Sequence, residues 1–154
     1  MRTISGWWGA LGGVLLGACG PKLVPDGSFE VTVTGTATDC TTDATGYRET
    51  FVYDLFFTEH VVDIYVEDTP FATGGITGCT INYETPTYLE ERDGGTTLQW
   101  SLAGKAKYET SPGLCNEDHG WVGTETITVV DSGDETVPMG CTYDMDVIGE
   151  YVEP

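Results

Sequence analysis

From Ser28 onward apolar and polar residues alternate with a period of two, the mark of a strand with one buried face. Phe29, Val31, Val33, Gly35 and Ala37 form the apolar face of a first run, against Glu30, Thr32, Thr34, Thr36 and Thr38. Phe51, Tyr53, Leu55 and Phe57 form a second. Shorter runs follow at 61–67, 76–83 and 87–92, the last ending at Asp93-Gly94-Gly95, a hairpin signal. The sixth run is the clearest, with Leu98, Trp100, Leu102, Gly104, Ala106 and Tyr108 on one face. A seventh places Trp121, Gly123, Glu125, Ile127 and Val129 together, and an eighth Tyr143, Met145, Val147, Gly149 and Tyr151. No stretch beyond residue 18 carries a helical period.

These runs predict an all-β domain of about eight strands joined by short Gly-, Pro-, Asp- and Thr-rich turns. Sequential strands with short links form an antiparallel meander. Such a meander closes into a small up-and-down barrel, lipocalin-like in architecture, or splits into a β-sandwich. Closure removes exposed strand edges, which favours the barrel.

The first residues follow a different pattern. Arg2 is the only charge before a run of apolar and small residues that ends in Leu16-Gly17-Ala18-Cys19. The run is shorter than the roughly 20 residues of a permanent membrane helix. It has the parts of a secretion signal. Leu16-Gly17-Ala18-Cys19 resembles the lipobox of bacterial lipoproteins. The resemblance implies cleavage after Ala18 and a diacylglyceryl group on the Cys19 sulfur. It divides the chain into a signal (1–18), a lipidated tether (19–27) and a single β domain (28–154). At roughly 3.3–3.6 Å per residue, Gly20 to Asp26 reaches no more than about 25 Å, which keeps the domain close to a membrane. Gly20 follows Cys19. Asp is the usual inner-membrane retention residue at that place, so in a Gram-negative cell the outer membrane is expected.

Composition narrows the partners. The chain has 25 acidic and 6 basic residues, a formal charge of −19. Nucleic acid is excluded as an expected partner, since phosphate affinity needs Lys and Arg. A solvated acidic exterior explains the charge; a basic envelope protein is the partner it would suit. With Cys19 set aside for lipid, Cys40, Cys79, Cys115 and Cys141 remain. Export to an oxidising compartment predicts two disulfides. In a closed meander the first and last strands are neighbours, so Cys40–Cys141 with Cys79–Cys115 is expected. Cys40 nevertheless lies in phase with the Thr face and Cys141 with the apolar face, so Cys40 would have to lie past its regular strand. Cys40–Cys79 with Cys115–Cys141 is the alternative.

The chemistry-bearing candidates are few. Small residues recur on the apolar faces at Gly35, Ala37, Gly104, Ala106, Gly123 and Gly149. Strand bending or tight packing explains them. Alternatively they open a cavity lined by Trp100, Tyr108, Trp121, Glu125, Tyr143 and Tyr151 that holds a small apolar or lipidic ligand. Glu49 and Glu125 fall among apolar neighbours, where a carboxyl is costly unless it reaches water or a cation such as Arg48, Arg92 or Lys105. A hydrolase using these two carboxylates is a third reading, after ligand binding and protein interaction. His60 and His119 sit in expected turns without ligand spacing. The acidic stretches 116–118 and 131–135 match no calcium loop. There is no nucleophile-elbow, phosphate-loop or dinucleotide motif. The expectation is therefore no catalytic residue, no metal and no cofactor.

Overall fold

A computed structural model of the chain describes residues 26–108, 110–111, 114–115 and 120–152, with side chains over 26–108 and 120–152. The strands are β1 (Gly27–Thr38), β2 (Arg48–Thr58), β3 (Val61–Val66), β4 (Thr69–Thr77), β5 (Thr80–Glu84), β6 (Tyr88–Glu91), β7 (Thr97–Tyr108), β8 (Thr110–Ser111), β9 (Leu114–Cys115), β10 (Trp121–Ser132) and β11 (Thr142–Tyr151). Eight of them close an antiparallel barrel in the order β1-β2-β3-β4-β5-β7-β10-β11 and back to β1. β8 and β9 form a separate two-residue ladder. The barrel, rather than the sandwich, is thus the architecture.

The strand boundaries depart from the alternation in one region. The run at 76–83 is not one strand but the hairpin of β4 and β5, turning at Gly78 with φ of 61°. Pro70 and the Gly74-Gly75 pair conceal β4, because neither adds to an alternating pattern. The run at 87–92 contains β6, which pairs only with the start of β7 and lies outside the closed ring. Between β5 and β6 the segment Thr85-Pro86-Thr87 breaks the strand. Asp93-Gly94-Gly95 does turn the chain, with both glycines at positive φ.

The barrel has two unlike ends. Both β1 and β11 place their outer termini, Gly27 and Tyr151, at one end. There Phe29 packs against Tyr108, Trp121 and Tyr151 at ring separations of 6.0, 6.1 and 5.6 Å. Val31, Leu55, Val62, Ile64, Ile81 and Val147 fill the same half, each at most 2% exposed. This end is closed.

At the other end the 39–47 and 133–141 connections are tied together. Cys40 and Cys141 form a disulfide with a Cα separation of 5.1 Å. Thr142 N donates to Asp39 Oδ1, Thr38 Oγ1 to the Thr142 carbonyl, and Thr41 Oγ1 to the Thr136 carbonyl. The phase conflict at Cys40 is resolved by a bulge. The β1–β11 register slips between Gly35 and Ala37, which turns Ala37 outward, and the strand ends at Thr38. One disulfide, not two, has both sulfurs among the residues whose side chains are described. The expected Cys79–Cys115 bridge involves Cys115, whose side chain lies outside them.

Candidate functional site

The open half of the barrel contains a chamber of about 300 Å³, lined mainly by apolar side chains. Val33 enters from β1, Phe51 and Tyr53 from β2, Phe71 from β4, Leu102 from β7, and Ile127 and Met145 from β10 and β11. One ionisable carboxyl reaches it, that of Glu125. A second cavity of about 300 Å³ lies at the mouth. It shares Tyr47, Trp100, Ile127 and Met145 with the chamber and adds Arg92, Glu90 and Tyr143. A third opens sideways, where β6 has left β4. Tyr88 spans that gap by donating to the Phe71 carbonyl at 2.9 Å.

Glu125 is 1% exposed and lies mid-strand. It is neither near water at a strand end nor paired with a cation, as the sequence suggested for it. Among the described residues the ion pair found is Arg92–Glu90, at the mouth. Two phenols hold Glu125 instead. Tyr83 donates to Oε1 at 2.6 Å and Tyr53 donates to the same oxygen at 3.2 Å. No donor among the described residues reaches Oε2.

The register explains how Tyr83 gets there. Gly104 on β7 is the direct partner of both Tyr83 on β5 and Glu125 on β10. A Cβ on Gly104 would stand 2.1 Å from the Tyr83 ring. The missing side chain therefore lets the phenol lie across β7 and meet the carboxyl. Gly149 makes the same room for the indole of Trp121, 2.3 Å from a would-be Cβ. Gly123 faces the backbone carbonyl of Lys105 at 2.2 Å. These glycines serve close packing and not open space, as the sequence favoured.

Burial raises the pKa of Glu125 above the ordinary carboxylate range; the two phenol hydrogen bonds pull it back only in part. Burial, and next the neighbouring Glu125, push both phenols up as well. The triad thus carries a carboxyl biased toward its neutral form, with phenols that stay protonated.

The sequence-derived residues divide between the two ends. Trp100 and Glu125 line the chamber, and Tyr143 lines the mouth. Tyr108 and Trp121 are buried in the closed half and line neither, while Tyr151 packs on Phe29 at the closed rim. Glu49, directly opposite Val33, is exposed at the open end of β2 and does not line the chamber. His60 is exposed in the β2–β3 turn; His119 and the 116–118 stretch lie outside the described residues. In the 131–135 stretch, Asp134 Oδ1 accepts from Thr136 N and Oγ1, an ordinary turn. Asp39, Cys40 and Cys141 are the one grouping of metal-type ligands among the described residues, and its two sulfurs are bonded to each other. Tyr53 and Tyr83 were not foreseen as partners of Glu125. Their signal was present: both stand in the inward phase of their strands, and a buried carboxyl needs donors.

No protein-family model, curated protein or solved structure matches the chain.

Proposed function

We propose that this protein is a lipid-anchored, non-catalytic envelope lipoprotein that holds a small, mostly apolar ligand in the open half of its barrel. The observation that carries the reading is the apolar chamber of about 300 Å³, which sits at the small end of ligand-site volumes. At roughly 30 Å³ per water-sized group it suits a molecule of about ten non-hydrogen atoms. Openings at the mouth and beside β6 offer routes in.

The anchor reading rests on Leu16-Gly17-Ala18-Cys19. Lipid on Cys19 fits the geometry in one respect. The chain enters β1 at Gly27, at the closed end, so a short tether would set that end toward the membrane and the mouth away from it. The ligand would then be taken from the aqueous side. A catalytic role is not proposed, because the groups hydrogen-bonded to Glu125 are phenols whose own pKa is raised.

Displacement of a fluorescent apolar probe tests the binding reading. Octanol should displace the probe from the wild-type protein, and a Trp replacing Val33 should abolish the displacement by filling the chamber. A probe that does not bind, or one displaced equally from Val33→Trp, would refute it. Cys19→Ser should release the protein from the membrane fraction; retention there would refute the anchor.

A further inference from the structure

We infer that the chamber selects an apolar amine, whose ammonium group is received by the free oxygen of Glu125 while its hydrocarbon part lies against Phe51, Phe71, Ile127 and Met145. This rests on the chamber being a ligand site and specifies the ligand's charged end.

Three observations converge on it. First, Glu125 is asymmetrically satisfied. Both phenols donate to Oε1, which fixes the plane of the carboxyl, and Oε2 is left without a donor in a site lined by hydrocarbon. An ammonium group carries three N–H donors and a charge, which is what that oxygen lacks. Second, no cation among the described residues supplies it. Lys105 and Lys107 stand at exposed positions of β7, and Arg92 is engaged with Glu90 at the mouth. Third, the whole chain carries a formal charge of −19, so its field concentrates cations and repels anions. A fatty acid would bring a second carboxyl beside Glu125 against that field. A neutral alcohol would satisfy Oε2 with one hydrogen bond but would bring no charge for the carboxyl to pair with.

Binding therefore acts on the ionisation of Glu125. Burial raises the pKa of Glu125 in the empty chamber. The arriving ammonium favours the carboxylate, so it lowers that pKa and an ion pair forms with the phenols still donating to Oε1. The phenols face the pair from β2 and β5. Gly104 and Met145, the register neighbours of Glu125 on β7 and β11, add no charge.

Isothermal titration calorimetry of the purified protein with octylamine, octanol and octanoate at neutral pH tests this. Octylamine should bind roughly tenfold to a hundredfold tighter than octanol, the range of a charge-assisted hydrogen bond. Octanoate should bind more weakly than either. Glu125→Gln keeps an acceptor for Tyr53 and Tyr83, and it should reduce octylamine to the affinity of octanol while octanol changes little. The wild-type ranking decides the matter even if that variant does not fold. Octanol binding with octylamine no tighter, or octanoate equal to octylamine, would overturn the amine inference and leave the chamber reading standing. No binding by any of the three would overturn both.

Discussion

In the closed half of the barrel Phe29 touches three other rings, and the glycines at 104 and 149 are covered by the rings of Tyr83 and Trp121. In the open half Val33, Ile127 and Met145 share the wall with the rings of Phe51, Tyr53, Phe71 and Trp100, and a chamber remains. A missing side chain on an inward face thus does not by itself make a cavity. An aromatic ring on the neighbouring strand can fill the place. The chamber remains where the rings line the wall without filling the centre. Glu125 sits at the boundary and is held from the packed side by Tyr83.

Removing the packed side should cost most. Phe29→Ala deletes a fully buried ring and should lower the unfolding free energy by about 3–5 kcal/mol in urea titration. A loss under about 1 kcal/mol would mean that this half is not tightly packed. Next comes the tie across the mouth. Replacing Cys40 and Cys141 together by Ser should cost about 2–4 kcal/mol, because the bridge closes a separation of 101 residues. The loss should be seen by the same titration with the barrel's circular dichroism retained.

Gly104→Ala acts at the boundary between the two halves. Its methyl must displace the Tyr83 ring, so a destabilisation of about 1–3 kcal/mol is expected. The Tyr83–Glu125 hydrogen bond should be lost with it. Ultraviolet resonance Raman of the tyrosines reads the phenol environment directly, and an unchanged spectrum would contradict the register account.

The smallest effect is a slope of stability with pH. Glu125 has a folded pKa above its ordinary value, so the fold binds that proton more tightly than the unfolded chain does. The stability this contributes is complete below the ordinary carboxylate range and is lost as pH rises through the raised value. Glu125→Gln cannot ionise. Its stability relative to wild type should therefore climb as pH rises from about 4 to about 8. Surface carboxylates are common to both proteins and drop out of the difference. Tyr53 and Tyr83, the titratable groups hydrogen-bonded to Glu125, do not titrate in that range. A flat difference would show that Glu125 is not buried in solution.

Much of the barrel was legible because alternation survives in its long strands. β7, β10 and β11 follow their runs nearly residue for residue, and a meander with neighbouring first and last strands places Cys40 near Cys141. What alternation could not display was β4, where Pro70 and two glycines carry no pattern, and the slip at Gly35, which reverses the phase after it. For the site, the burial of Glu125 was visible in its phase. Which end of the barrel was empty was not. Period fixes the face a residue points to, but whether rings meet across the interior depends on register between strands far apart in sequence. Tyr108 and Trp121 therefore read as cavity walls although they fill the closed end.

Methyl-resolved NMR of the protein titrated with octanol tests the division of the barrel most directly. Shifts are expected at the methyls of Val33, Leu102, Ile127 and Met145, which line the chamber, and none at Val62 and Ile81 in the packed half. Equal shifts in the two halves, or no shifts in either, would contradict it.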